Sequence, residues 1–190
     1  MQLIVYVCLL MLVVTAGSAR AEGEPVTASG NMEVCFTTGN GSAAGADCAA
    51  FLVGRIDRAR ATILVQAYNF TEPRIIKALI DAHVRGVEVT VILDKLAPRQ
   101  RGEGADLVRA AGIATYIDRL PKIAHNKVMV IDGEFVVTGS FNFSTNANCC
   151  NAENLLIIDS PELATAYATN FQHRRAVSAV YQSREPAGTE

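Results

Sequence analysis

Six polar side chains in the second half of the chain have the types and spacing to act on a phosphate ester. His125-Asn126-Lys127 is followed by four residues, then Asp132, then six residues, then Gly139-Ser140-Phe141-Asn142. Asn151-Ala152-Glu153-Asn154 comes soon after. Residues two apart in an extended chain project to the same side, so His125 and Lys127 put an imidazole beside an ammonium. Ser140 and Asn142 fall just past Gly139, in a turn whose backbone N–H groups can also face an anion. The cation, the hydroxyl and the amide can hold phosphoryl oxygens while the imidazole attacks phosphorus or protonates a leaving oxygen. Asp132 stands at a turn signal, where holding the turn and the neighbouring chain is the expected job. The other two histidines, His83 and His173, lie in predicted helices without a lysine partner and read as surface or satisfied side chains. Phe141 and Phe143 read as packing. No metal or other cofactor is expected: no Cys-x-x-Cys occurs, the histidines are far from the cysteines, and no carboxylate cluster accompanies the motif.

These side chains need a scaffold, and the apolar pattern supplies one. Met32 to Phe36 can form a first strand. Asp47 is a helix N-cap, with Phe51, Leu52 and Ile56 at helical spacing and the helix running through Arg60. Thr62 to Tyr68 is a strand rich in β-branched and aromatic residues. Thr71 is the expected cap of the next helix, with Pro73 early and Gly86 as its stop. Val87 to Leu93 reads as a buried strand, Gly104 to Ala111 as a helix, and Ile113 to Ile117 as another strand. Lys127 to Ile131 and Phe135 to Thr138 are joined by Asp132-Gly133, a hairpin signal. Leu155 to Asp159 is a last strand. Ser160-Pro161-Glu162 opens a terminal helix with Leu163, Ala166, Tyr167 and Phe171 on one face. The alternation predicts an α/β fold; the hairpin makes its β-sheet mixed, flanked by helices on both faces.

Composition bounds the class. The chain has 190 residues, half of them apolar, with a net charge of −2. That excludes a uniformly basic nucleic-acid binder, a disordered tail and a polytopic membrane protein. Charge is uneven: thirteen basic residues stand against eight acidic ones between positions 55 and 127. Residues 1–21 have the form of a signal peptide, with an apolar run from Leu3 to Val14 and Ala19-Arg20-Ala21 as the cleavage site. Residues 22–190 are then a single catalytic domain. Export to the periplasm or the medium is expected; the alternative is a domain anchored by the N-terminal apolar segment. Cys35, Cys48, Cys149 and Cys150 allow three pairings. A local Cys35–Cys48 bridge is one; a bond between adjacent Cys149 and Cys150 would be strained, so free thiols or pairing elsewhere are equally open for these two.

The spacing His-x-Lys-x4-Asp-x6-Gly-Ser-x-Asn resembles the HKD signature of the phospholipase D superfamily, with every spaced position matched. Thr62 to Phe70, the helix from Thr71, the strand ending in Asp94 and Asn151-Ala152-Glu153-Asn154 look like the small bacterial endonucleases of that superfamily. These are exported proteins with one motif per chain. The resemblance implies an α-β-α sandwich and a two-step, metal-independent hydrolysis. His125 would attack phosphorus and form a phosphohistidine; Lys127, Asn142 and Ser140 would hold the phosphoryl oxygens; Glu153 would accept from the imidazole and orient it. A second histidine must serve as acid. With one motif per chain it would come from a twin subunit, in a homodimer sharing one active site. Nucleic acid, DNA or RNA, is the expected substrate. The segment Lys95-Leu96-Ala97-Pro98-Arg99-Gln100-Arg101-Gly102, with Arg119 and Lys122, could follow a phosphate backbone. Phospholipid is the alternative, with phosphatidylcholine or cardiolipin cleaved to phosphatidate.

Overall fold

The computed structural model describes residues 26–28, 31–39, 46–99 and 104–182. The signal-peptide segment and residues 100–103, Arg101 of the basic segment among them, lie outside these. The strands are β1 (Val26–Ala28), β2 (Met32–Thr38), β3 (Thr62–Ala67), β4 (Glu88–Asp94), β5 (Ala114–Asp118), β6 (Lys127–Ile131), β7 (Phe135–Gly139), β8 (Ala152–Asp159) and β9 (Ala179–Val180). They form one sheet in the order β1-β2-β8-β7-β6-β3-β4-β5-β9. Only β3–β4 and β4–β5 pair in parallel; the others pair antiparallel. The sheet is therefore mixed. The helices are α1 (Cys48–Ile56), α2 (Pro73–Val84), α3 (Gly104–Ala110), α4 (Thr145–Cys149) and α5 (Pro161–Ala176), with a 3-10 turn at Ala97–Arg99.

Alternation along the strands divides the core between two faces. Ile63, Val65, Val91, Leu93, Met129 and Ile131 pack with Leu52, Leu79 and Val108 of α1, α2 and α3. On the opposite face Val128, Val130 and Val136 meet Ala164 of α5, with Leu64, Leu163 and Tyr167 around them. Strand β6 is covered on both sides, which is why all five of its residues are buried. Helix α5 lies over β3, β5, β6 and β7. On that same face Met32, Val34, Leu156 and Ile158 are half-exposed, and Phe36 is 56% exposed. These residues are neighbours in register across β2 and β8.

Tertiary partners move several element ends. Asp47 and Ser160 cap α1 and α5 as expected, accepting from Ala50 and Leu163 N–H groups. But α1 stops at Ile56, short of Arg60, because the Arg60, Ala61 and Thr62 N–H groups all donate to the Asp132 carboxylate. Thr71 is not the cap of α2. Its N–H and that of Glu72 donate to the Phe143 carbonyl, so the helix starts at Pro73 with Glu72 at the N-cap and no side-chain cap. On α5 the inner residues are Ala164 and Phe171, and Ala166 faces solvent. Two disulfides are present among the described residues. Cys35–Cys48 ties β2 to α1, and Cys149–Cys150 closes the end of α4.

Candidate active site

One end of the sheet delivers five of the six predicted side chains. Strands β2, β3 and β7 finish there, and β6 and β8 begin there. Across the ladders Ala67 pairs with Lys127, Gly139 with Leu155 and Thr37 with Glu153. Gly139 has φ +144°, and a Cβ there would come within 2.3 Å of the Asn154 carbonyl oxygen. Glycine lets β7 leave the sheet this close to β8, so that Ser140 and Asn142 follow at the sheet end.

Lys127 opens β6 and is only 8% exposed. Its ammonium donates to the His125 carbonyl oxygen at 3.0 Å and stands 5.2 Å from the centroid of the Tyr68 ring. Burial holds its pKa below the ordinary lysine value, and the Glu153 carboxylate acts in the opposite sense. A cation held partly out of water attracts a phosphoryl oxygen more strongly than a solvated one.

His125 lies exposed on the segment leading into β6. Its imidazole is 4.7 Å from the Tyr68 ring, centroid to centroid, at 58°. The backbone around it is pinned. One oxygen of the buried Asp94 accepts the Ala124 N–H at 2.7 Å and the other accepts the Leu96 N–H at 2.9 Å. The Asn126 carbonyl accepts the Tyr68 N–H at 2.9 Å.

Glu153 is held by its neighbours. Its carboxylate accepts from the Ser140 hydroxyl and from Asn151 Nδ2. Its N–H donates to Thr37 Oγ1, and that hydroxyl donates to the Asn151 carbonyl. No hydrogen bond joins Glu153 to His125 among the described contacts, so in the single chain its partners are Ser140 and Asn151 rather than the imidazole. Asn142 carries a buried Oδ1 with no hydrogen-bond partner. Buried polar atoms are nearly always paired. Half a turn of the amide would put Nδ2 there instead, as a donor for a phosphoryl oxygen.

Asp132 is the sixth predicted residue, and the structure separates it from the others. It lies beyond the far end of β6, about 16 Å of extended chain from Lys127. Asp132 and Gly133 have φ of +55° and +68°, as a type I′ turn requires. The carboxylate takes the N–H groups of Arg60, Ala61 and Thr62, at the entry to β3. Its role is to clamp the hairpin to the α1–β3 connection. Asp132→Ala is expected to lower unfolding free energy by about 2 kcal/mol in urea titration while the folded protein still turns over substrate. Unchanged stability with lost turnover would instead place Asp132 in the chemistry.

Sequence reasoning missed Tyr68, Thr37, Asp94 and Asp118 as parts of the site's frame. A signal was available for two of them. Asp94 and Asp118 each end a parallel strand, where α/β sheets place their sites. Asp118 accepts from Leu120 N–H and pairs with Arg174 at 2.6 Å. Of the other histidines, His83 sits in the last turn of α2, away from this end of the sheet, and His173 is exposed on α5. Among the described residues no three His, Cys, Asp or Glu side chains gather as metal ligands would.

A family described as "Cardiolipin synthase, PLD-like domain" matches residues 52–175, a span that holds every predicted site residue. The chain belongs to the phospholipase D superfamily. A protein named phospholipase D from Rickettsia felis is 41% identical over 145 residues, covering 76% of this chain and 70% of that protein. A mitochondrial cardiolipin hydrolase from Xenopus tropicalis is 32% identical over 130 residues, 68% of this chain and 59% of that one. The crystal structure of Nuc, a phospholipase D family member from Salmonella typhimurium, superposes with a TM-score of 0.72 at 32% identity. It covers 84% of this chain and all of Nuc. This phospholipase D-superfamily member is a hydrolase of phosphodiester bonds, and its α/β architecture with a mixed sheet is that of Nuc.

Proposed function

We propose that this phosphodiesterase is a metal-independent, non-specific endonuclease. In this reading His125 attacks phosphorus and is transiently phosphorylated, and Lys127, Asn142 and Ser140 hold the phosphoryl oxygens. The observation that carries the choice of nucleic acid is the open, cationic rim beside His125. Asp94 and Asp118, paired across β4 and β5, each end a strand and each accept the N–H two residues on. Lys95 and Arg119 lie within these twin turns, Lys95 Nζ donates to the Pro121 carbonyl at 3.1 Å on the segment that leads to His125, and Lys122 follows on that segment. Such a rim suits a strand of phosphates threading past the site, bound without regard to base sequence.

The acid is the His125 of a second copy. The half-exposed apolar face of β2 and β8 supports this. Met32, Val34, Phe36, Leu156 and Ile158 form one patch on the α5 face of the sheet, over the strands that α5 does not reach. The patch ends at Phe36, paired with Asn154, one residue from Glu153. A two-fold axis there lets one patch cover another and brings the two sites together. The Cys35–Cys48 bond is in keeping with a protein exported to the periplasm or the medium after loss of residues 1–21, since disulfides persist in oxidising compartments.

One observation favours a phospholipid substrate as the second reading. Leu120 and Ile123 are 70% and 47% exposed beside Arg119 and Lys122, and aliphatic side chains among cations also suit an anionic bilayer surface. Turnover decides between the two. In excess EDTA, the protein is expected to cleave DNA and to leave phosphatidylcholine and cardiolipin vesicles essentially intact. Lipid cleavage without DNA cleavage would select the second reading. Loss of all activity in EDTA with recovery in magnesium would remove the metal-independent mechanism.

A further inference from the structure

We propose that Tyr68 is a positioning residue whose ring walls in the His125 imidazole and steadies the Lys127 ammonium during turnover. The inference rests on the phosphodiesterase reading of the site and adds a residue to it.

The nucleophile has a geometric problem. His125 is exposed and lies outside the strand, and its imidazole makes no hydrogen bond among the described contacts. Two side-chain torsions would otherwise be free to carry its ring nitrogens away from the phosphorus. Tyr68 supplies a wall. Its ring centroid is 4.7 Å from that of His125 and tilted by 58°, within the range of favourable aromatic pairs. The same ring faces Lys127 Nζ at 5.2 Å, a distance at which the negative ring face attracts a cation. One side chain thus touches both the attacking group and the cation that must meet the phosphoryl oxygen.

The backbone makes this contact reproducible. Ala67 pairs with Lys127 in the β3–β6 ladder. The ladder runs one step past the end of β3, where the Tyr68 N–H donates to the Asn126 carbonyl at 2.9 Å. Tyr68 is therefore tied to the residue between His125 and Lys127. Its ring is held in register with both, and displacement of a nucleophile by about 1 Å can cost on the order of 100-fold in rate.

The position calls for an aromatic ring, because it is the Tyr68 ring that meets both His125 and Lys127. The test uses purified Tyr68→Phe and Tyr68→Leu proteins with bis(p-nitrophenyl) phosphate, a small diester that reports chemistry independently of nucleic-acid binding. Tyr68→Leu should lose at least about tenfold in kcat with KM little changed, and Tyr68→Phe should recover most of that loss. A second readout does not depend on activity. The His125 ring protons should show an aromatic ring-current shift in wild type and in Tyr68→Phe, lost in Tyr68→Leu. Wild-type kcat in Tyr68→Leu, a phenylalanine variant as impaired as the leucine one, or unshifted His125 protons in the wild-type protein would each overturn the proposal. A wild-type protein that shows the ring-current shift but no turnover of any diester would count against the phosphodiesterase reading and leave the Tyr68–His125 contact standing.

Discussion

Alanine at position 125 should reduce turnover of a phosphodiester by roughly 10⁴-fold or more, the scale seen when a nucleophile is removed from an enzyme. No neighbouring group can take over. His83 and His173 stand elsewhere, and Ser140 is engaged with Glu153 and the Asn154 N–H. Lys127→Ala should come close to the same loss, since among the described residues no other cation stands at that spot in the ladder. Glu153→Gln should be milder, on the order of tenfold. It weakens the Ser140 contact without removing the nucleophile or the cation. Steady-state kinetics on all three, with thermal melts to confirm folding, read this ordering directly. A His125→Ala protein that keeps a large fraction of wild-type rate, free of contaminating nuclease, would refute the assignment.

The second large effect concerns assembly. The proposed mechanism needs one histidine to attack and another to protonate the leaving oxygen, and the site contains one histidine per chain. Mixing wild-type with excess His125→Ala subunits should therefore yield heterodimers that lack one of the two groups. With subunits in exchange, activity should follow roughly the square of the wild-type fraction; a linear dependence would mean that each chain works alone. A fully active monomer by sedimentation at assay concentration would likewise force the acid to come from elsewhere. Changing Phe36 and Leu156 to charged residues should weaken the dimer and lower activity together, because the half-exposed face of β2 and β8 is the proposed interface.

Much of this site was legible in one dimension because its parts are local. The period-2 placement of His125 and Lys127, the Asp132-Gly133 turn and the β-branched runs of β3, β4 and β6 carry their structure in neighbouring residues. The α/β class followed from those runs. What escaped was set at long range. Helix α1 ends early because Asp132, more than seventy residues away in the chain, captures its following N–H groups. Thr71 loses its cap to the Phe143 carbonyl. Strands β1 and β9 and helix α4 are too short, or too polar in the case of α4, to show a period. The frame of the site was missed for a related reason. Asp94 reaches Ala124 across thirty positions, and Tyr68 meets His125 only because β3 and β6 are paired. Glu153 was picked out by its Asn-x-Glu-Asn context, yet its hydrogen-bond partners in the fold are Ser140 and Asn151.

The claim that matters most is the phosphohistidine at His125, and the configuration at phosphorus tests it most directly. Each in-line displacement inverts phosphorus. Attack by His125 followed by attack of water on the phosphohistidine inverts it twice. A diester made chiral at phosphorus with oxygen isotopes, hydrolysed by the wild-type protein in isotopically labelled water, should give product with retained configuration. Inverted configuration would show that water attacks the substrate directly, and His125 could then act only as a base or an acid.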